Sequence, residues 1–225
     1  MKHKIRSITK CIGLFLLFFT ISSIPIIVFN ININKFSDFE ILLYSFGCNI
    51  AYLTIIIACY YKTLKKDFTP FFKNFWTNFE ESFKYYLIGL GIMVGSNLLI
   101  TQVLGGGLGN NEETIRSYID IAPLLMLFEV SIYAPITEEL LFRKSIRELI
   151  NNKWLYILVS GFIFGSLHVT GIASAFDLLY LIPYCSLGFT FAYTYAKTDN
   201  IYSTISVHAI HNTITIILYL IGASL

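Results

Sequence analysis

Three short stretches hold most of the ionisable chemistry of this 225-residue chain: EELLFR at 138–143, FGSLH at 164–168 and HAIHN at 208–212. In the first, Glu139 and Arg143 stand four residues apart with the acid leading, the helical order in which such a pair meets well. Glu138 points about a quarter-turn away, so one guanidinium cannot fully satisfy both carboxylates. One glutamate is neutralised and the other is left as a candidate general base. In the second stretch Phe164 precedes His168 by four, and Gly161, Gly165 and His168 run along one helical side. Such a GxxxG pair lets a neighbouring backbone come close and brings the imidazole against it. In the third, His208 and Asn212 share a face, with His211 beside Asn212 but turned away from His208. An imidazole and an amide donate hydrogen bonds without fixed negative charge, which is what an oxyanion site requires.

Taken singly, each stretch has a plain structural explanation. These are a helix end with solvated charges, a satisfied buried histidine, and polar side chains that tie spans together. Taken together they make a hydrolytic constellation on three helices. The glutamate takes a proton from water, a histidine helps to orient that water, and the remaining pair holds the tetrahedral oxyanion. Each oxyanion donor of this kind contributes about a hundredfold or more in rate.

The elements that must position these groups lie in a bilayer. The chain is 56% hydrophobic and 13% charged, with a mean hydropathy of +0.67. Soluble domains carry roughly 25% charged residues. A net charge of +2 and the lack of a basic tract interleaved with aromatics argue against a nucleic-acid partner. About 20 apolar residues cross a bilayer as a helix, and seven candidate spans fall at 11–31, 41–61, 84–104, 119–142, 155–173, 177–196 and 201–223. With the N-terminus inside, nearly all the basic residues, Arg143 among them, fall in cytoplasmic segments, leaving only Lys35 and Arg116 outside. The positive-inside rule supports that alternation. The expected architecture is an all-α, polytopic integral membrane bundle of about seven transmembrane helices, forming one membrane domain over 1–225. The location is the cell membrane, multi-pass, in a bacterial plasma membrane, with the lipid bilayer as partner.

Two segments qualify this plan. TPFFKNFWTNFEESFKYY places Phe72, Phe75, Trp76, Phe79 and Phe83 at helical spacing, with Thr69 able to cap and Pro70 suited to the first turn. It predicts a separate amphipathic helix in the cytoplasmic interface, with a simple extension of the third span as the alternative. The N-terminal Lys2, Lys4, Arg6 and Lys10 before an apolar run resemble a signal peptide, but the run is long and no small-x-small site closes it. It reads as a retained span. The four cysteines (Cys11, Cys48, Cys59, Cys185) lack CxxC spacing and read as small hydrophobes. A carboxylate near the bilayer centre costs roughly 2.5–3.5 kcal/mol on insertion scales, so Glu129 and Asp177 also join the list of intramembrane groups.

EExxxR, FxxxH and HxxxN in consecutive distal spans resemble the CPBP family, the CAAX-protease and bacteriocin-processing (Abi) membrane proteins. The resemblance covers about 118–220, while 1–117 resembles nothing specific. It implies an intramembrane endopeptidase acting at or within the cytoplasmic side of the bilayer on membrane-associated leader, bacteriocin or signalling peptides. Carried over position by position, Glu138 is the base with Glu139 and Arg143 beside it. His168 acts with Glu138 on water, and His208 with Asn212 holds the oxyanion. Many members have a small residue after the motif arginine where this chain has Lys144, a departure that bears on substrate preference. The family is customarily labelled metalloprotease. Glu138, His168 and His208 could supply three ligands to a zinc ion (Zn2+), yet no HExxH is present and Asn212 is a poor zinc ligand, so the residues favour metal-independent catalysis. Two other classes of function compete. One is a non-catalytic self-immunity or scaffold protein binding a peptide or partner in the same groove. The other is a proton-coupled transporter, which neither an inverted repeat nor paired broken helices supports.

Overall fold

The computed structural model describes residues 2–169, 171–172 and 175–222, the side chains of residues 2 and 3 excepted. All regular structure among them is helical. Helix α1 (Lys2–Thr20) and the short α2 (Ser23–Phe29) form a pair bent by 67°. Helix α3 (Asp38–Lys73) starts at a reciprocal capping box in which Ser37 and Glu40 satisfy each other's backbone donors. Helix α4 (Phe75–Leu98) continues through a wide π turn, Leu99–Val103, into the glycine-rich loop. Helix α5 (Asn110–Ile121) follows, then α6, a composite helix over 123–149 that carries EELLFR. Helix α7 (Lys153–Leu167) is capped by the Asn152 side chain. Helix α8 (Leu181–Thr198) is entered through a 3-10 turn, Ala175–Tyr180, and α9 is Ile201–Leu220.

The chain passes back and forth between two ends of the bundle, which side-chain contacts identify. At one end Lys10 pairs with Glu148, Tyr60 meets the Ser145 hydroxyl, and Asp67 accepts from the backbone N–H of Ile201. At the other, Tyr44 donates to Ser22, Tyr180 to the Gly107 carbonyl and Tyr219 to Asp120. Between them, among the described residues, run the long apolar helices and several shorter ones, in the order of the expected apolar segments. Four of the helical segments, Asp38–Lys73, Phe75–Val103, Ala175–Thr198 and Ile201–Leu220, are long and apolar enough to cross a bilayer outright, and the bent N-terminal pair makes a fifth. The chain is an all-α polytopic membrane bundle.

Several boundaries differ from the sequence reading. The stretch expected over 119–142 divides at Ala122, and the helix begun at Pro123 runs on to Leu149. The fifth segment is helical only to Leu167, and the expected end of the last, at 223, lies outside the described residues. The aromatic stretch near 70–83 is helical but shared between two elements. Pro70 sits inside α3, the chain breaks at Asn74, and Phe75 onward belongs to α4. The break is tied by Asn78, whose side-chain amide donates to the carbonyls of Pro70 and Phe71. Arg143 is not a loop charge. It is completely buried, so it drops out of the charge asymmetry between the two ends.

The distal helices pack tightly. Helix α8 lies between α7 and α4, and α9 packs on α6 and α3. A methyl group added at Gly165 would stand 2.8 Å from the backbone nitrogen of Cys185, and one at Gly188 would stand 2.5 Å from the Gly161 carbonyl oxygen. The GxxxG pair therefore sets backbone against backbone between α7 and α8, as its spacing predicts.

Candidate active site

Helix α6 owes its shape to two wide π-helical stretches, Glu129–Tyr133 and Glu139–Ser145. Pro135 follows the first. Proline inside an α-helix loses one ladder bond and clashes with the carbonyl four residues back, and a widened turn just before it relieves both. The second begins at Glu139, directly after Glu138, and takes in the rest of the EELLFR motif; such bulges recur at functional sites. It presents Glu139 and Arg143 to the interior and leaves Glu138 on an adjacent face.

Glu139 and Arg143 are both fully buried and joined through Nε to Oε2 at 3.0 Å. Arg143 Nη1 donates to the Ser160 hydroxyl at 3.0 Å, and that hydroxyl donates to the Phe142 carbonyl at 2.8 Å. The guanidinium also lies 4.6 Å from the centre of the Phe164 ring, a cation–π contact that offsets part of its desolvation. The other oxygen of Glu139 accepts from His208 Nδ1 at 2.9 Å. The Phe191 ring stacks on that imidazole at 5.0 Å.

Since its Nδ1 hydrogen bonds to a carboxylate, His208 directs Nε2 elsewhere, to a point 3.8 Å from Glu138 Oε2. His168 is arranged alike. Its Nδ1 donates to the Phe164 carbonyl at 2.8 Å, and its Nε2 stands 4.0 Å from the same Glu138 oxygen. Among the described residues that oxygen is buried without a hydrogen-bond partner. Asn212 lies one turn beyond His208, and one amide hydrogen is committed to the Val130 carbonyl at 2.9 Å. All four side chains, Glu138, His168, His208 and Asn212, line one cavity of about 220 Å³. Glu139 and Arg143 stand behind it.

At about 1.5 Å per residue, His208 lies roughly 10 Å and His168 roughly 22 Å from the start of its helix. With α6 ending at Leu149, Glu138 lies roughly 16 Å in, between the two histidines.

Sequence reasoning missed two partners, Ser160 and Phe191, and singled out His211 and Glu129 without giving either a role. Ser160 is a lone hydroxyl just before Gly161, and Phe191 gives no signal beyond its apolarity. His211, previously without a role, meets Tyr86 through Nδ1 at 3.2 Å and lines the cavity. Glu129 is outside the cavity and accepts from Asn49 at 3.0 Å.

A metal ion does not fit the donor set as placed. Ligands of a tetrahedral zinc stand about 2.0–2.2 Å from the metal and so roughly 3.4 Å from one another. The two imidazole nitrogens are 3.8 and 4.0 Å from the carboxylate oxygen. Among the described residues no group of three or more His, Cys, Asp or Glu side chains could hold a metal ion. No step below is routed through one.

Residues 120–214 match the family model described as "Rce1-like: Type II CAAX prenyl endopeptidase Rce1-like". The resemblance drawn from the three motifs is therefore shown for this segment, which contains all of them. Among curated proteins the chain is similar to "Putative membrane peptidase YdiL" of Bacillus subtilis (strain 168), 36% identical over 119 residues, 51% of this chain and 46% of that protein. It is also similar to "UPF0177 protein YxdF" of Lactococcus lactis subsp. lactis (strain IL1403), 29% identical over 145 residues, 62% of this chain and 78% of the relative. The chain spans a little under half the length of the Bacillus protein. No solved structure matches it.

Proposed function

We propose that the protein is an intramembrane endopeptidase that hydrolyses membrane-associated peptides with a water activated by Glu138. The observation that carries this reading is the convergence of two imidazole nitrogens, at 3.8 and 4.0 Å, on one buried carboxylate oxygen at a cavity wall. Separations of that size are what a bridging water spans. The Rce1-like match over 120–214 and the similarity to a protein named as a membrane peptidase support the same reading.

Glu138 Oε2 accepts a proton from water while the water oxygen bonds to the carbonyl carbon of the peptide, and the carbonyl electron pair becomes an oxyanion. His168 Nε2, unprotonated because Nδ1 donates to Phe164, accepts the second water hydrogen as a hydrogen bond and fixes the direction of attack. The oxyanion is held by His208 and Asn212. In its imidazolium form His208 donates through Nδ1 to Glu139 and through Nε2 to the oxyanion. Asn212 offers the amide hydrogen not given to Val130. Collapse restores the carbonyl, breaks the C–N bond and passes the proton on Glu138 to the leaving nitrogen. Glu139 and Arg143 are positioning residues that fix the His208 ring.

The test uses purified protein in detergent with quenched, membrane-anchored peptides, comparing wild type, Glu138→Ala and His168→Ala with and without a zinc chelator. Cleavage lost in both variants and kept with chelator is the expected result. Cleavage abolished by chelator and restored by zinc would make Glu138, His168 and His208 ligands instead. Peptide binding without cleavage by wild type would replace the reading with that of a binding protein.

A further inference from the structure

The cavity has a sealed end and an open one. Beneath Glu138 the layer formed by Leu140, Leu141, Phe142, Tyr156 and Ile201 is fully or almost fully buried, and it closes the site towards the end of the bundle that holds Lys10, Glu148 and Asp67. In the other direction the cavity wall continues to Asn111 and Glu112 in the first turn of α5, to Tyr184, and to Thr215 and Tyr219 on the last turns of α9. These belong to the glycine-loop end, where Tyr180 bonds Gly107 and Asn110 bonds Gly171. Charge separates the same two ends. The sealed end gathers the lysines and arginines of 2–10, 62–84, 144–153 and 197, whereas the open end has Lys35 and Arg116 alone. Arg116 is already paired with Glu112 at 2.8 Å. Short basic loops stay on the cytoplasmic face.

We propose that the cavity receives its peptide from the outer face of the membrane, the face opposite the one the CAAX-protease resemblance implies. The substrate class is then a membrane-anchored peptide whose cleaved segment lies at the outer leaflet. The wall favours an apolar stretch there, since Met93, Ile119, Leu187 and Ile216 face the cavity between the polar rim and Glu138. This inference rests on the peptidase reading for its substrate, but its geometry stands apart from activity.

The experiment therefore has two arms. In the first, Asn111→Cys at the rim, Thr215→Cys deeper in the cavity and Lys153→Cys at the sealed end are made in a Cys59→Ala background, because the other three native cysteines are buried. Intact cells without an outer barrier are treated with a small membrane-impermeant thiol reagent before and after permeabilisation. Asn111→Cys and Thr215→Cys should label to the same extent in both conditions, and Lys153→Cys only after permeabilisation. The reverse pattern, or Asn111→Cys labelling from outside while Thr215→Cys resists in both conditions, overturns the proposal. In the second arm wild type is offered an anchored quenched peptide on the outer face of intact cells or on the cytoplasmic face through inverted vesicles. Cleavage only in the inverted vesicles overturns outer-face access. Expected labelling with no cleavage from either face leaves the outward opening standing and sinks the peptidase reading instead.

Discussion

The two oxygens of Glu139 are divided between two partners, His208 Nδ1 at 2.9 Å on Oε1 and Arg143 Nε at 3.0 Å on Oε2. The carboxylate that looks most like an acid–base group by its burial is thus fully engaged in orienting others. The neighbouring Glu138, with a free oxygen, is the one left to react.

Glu138→Gln and Glu139→Gln should therefore separate cleanly. The first removes the base, and hydrolysis should fall by about 10²–10⁴-fold with little change in thermal unfolding in detergent. The second strips a fully buried guanidinium of its counter-charge and should destabilise the fold by about 3–5 kcal/mol. Equal loss of stability in the two variants would refute this division of labour.

Ser160 is the only hydroxyl that Arg143 donates to among the described residues. Ser160→Ala leaves a buried donor unsatisfied and should cost about 1–3 kcal/mol, read as a lower unfolding temperature. Arg143→Lys should be worse tolerated than its unchanged charge suggests, because an ammonium cannot reproduce the planar fork that reaches both Glu139 and Ser160.

Asn212→Ala removes an oxyanion donor together with the bond to the Val130 carbonyl. We expect kcat to fall about 10²–10³-fold with KM changed far less. A change confined to KM would mean that Asn212 contacts substrate in the ground state and not the oxyanion.

Gly165→Ala should drive α7 and α8 apart, since the added methyl would meet the Cys185 backbone, which cannot rotate away. Overpacking of this kind costs about 1–3 kcal/mol, and the displacement of His168 should depress cleavage as well. Gly91→Ala, where nothing lies within 4 Å of the added atom, is the matched control and should be neutral.

The apolar helices and their alternation between two ends were readable because bilayer thickness fixes how much apolar chain a pass needs. The pairing of Glu139 with Arg143 was readable because i and i+4 are neighbours on any helix. The close approach of α7 and α8 was readable in Gly161 and Gly165. The burial of Arg143 was not, because a charge next to Lys144 looks like the end of a span until its partners, Ser160 and the Phe164 ring, are placed by other helices. The wide turns of α6 were hidden as well, since only Pro135 marks the first and nothing in ELLFRKS marks the second. Helix α5 escaped notice because its polar sequence after four glycines resembles a loop. With it the direction in which the cavity opens was missed.

The wide stretch over 139–145 makes this part of the chain sensitive to length in a way most helices are not. A wide turn holds one residue more than the α-helix it interrupts, so deleting one residue there would draw it back to ordinary α geometry. The helix on either side would keep nearly the same facing, but loss of Leu140 or Leu141 would leave Glu139 three residues from Arg143 instead of four. The pair that fixes His208 would be misplaced with every charged group still present. A deletion in 105–109 changes only the slack of a loop. Single-residue deletion scanning should therefore find a narrow intolerant window at EELLFRKS beside a permissive one at GGGLG, a contrast that no substitution scan would reveal.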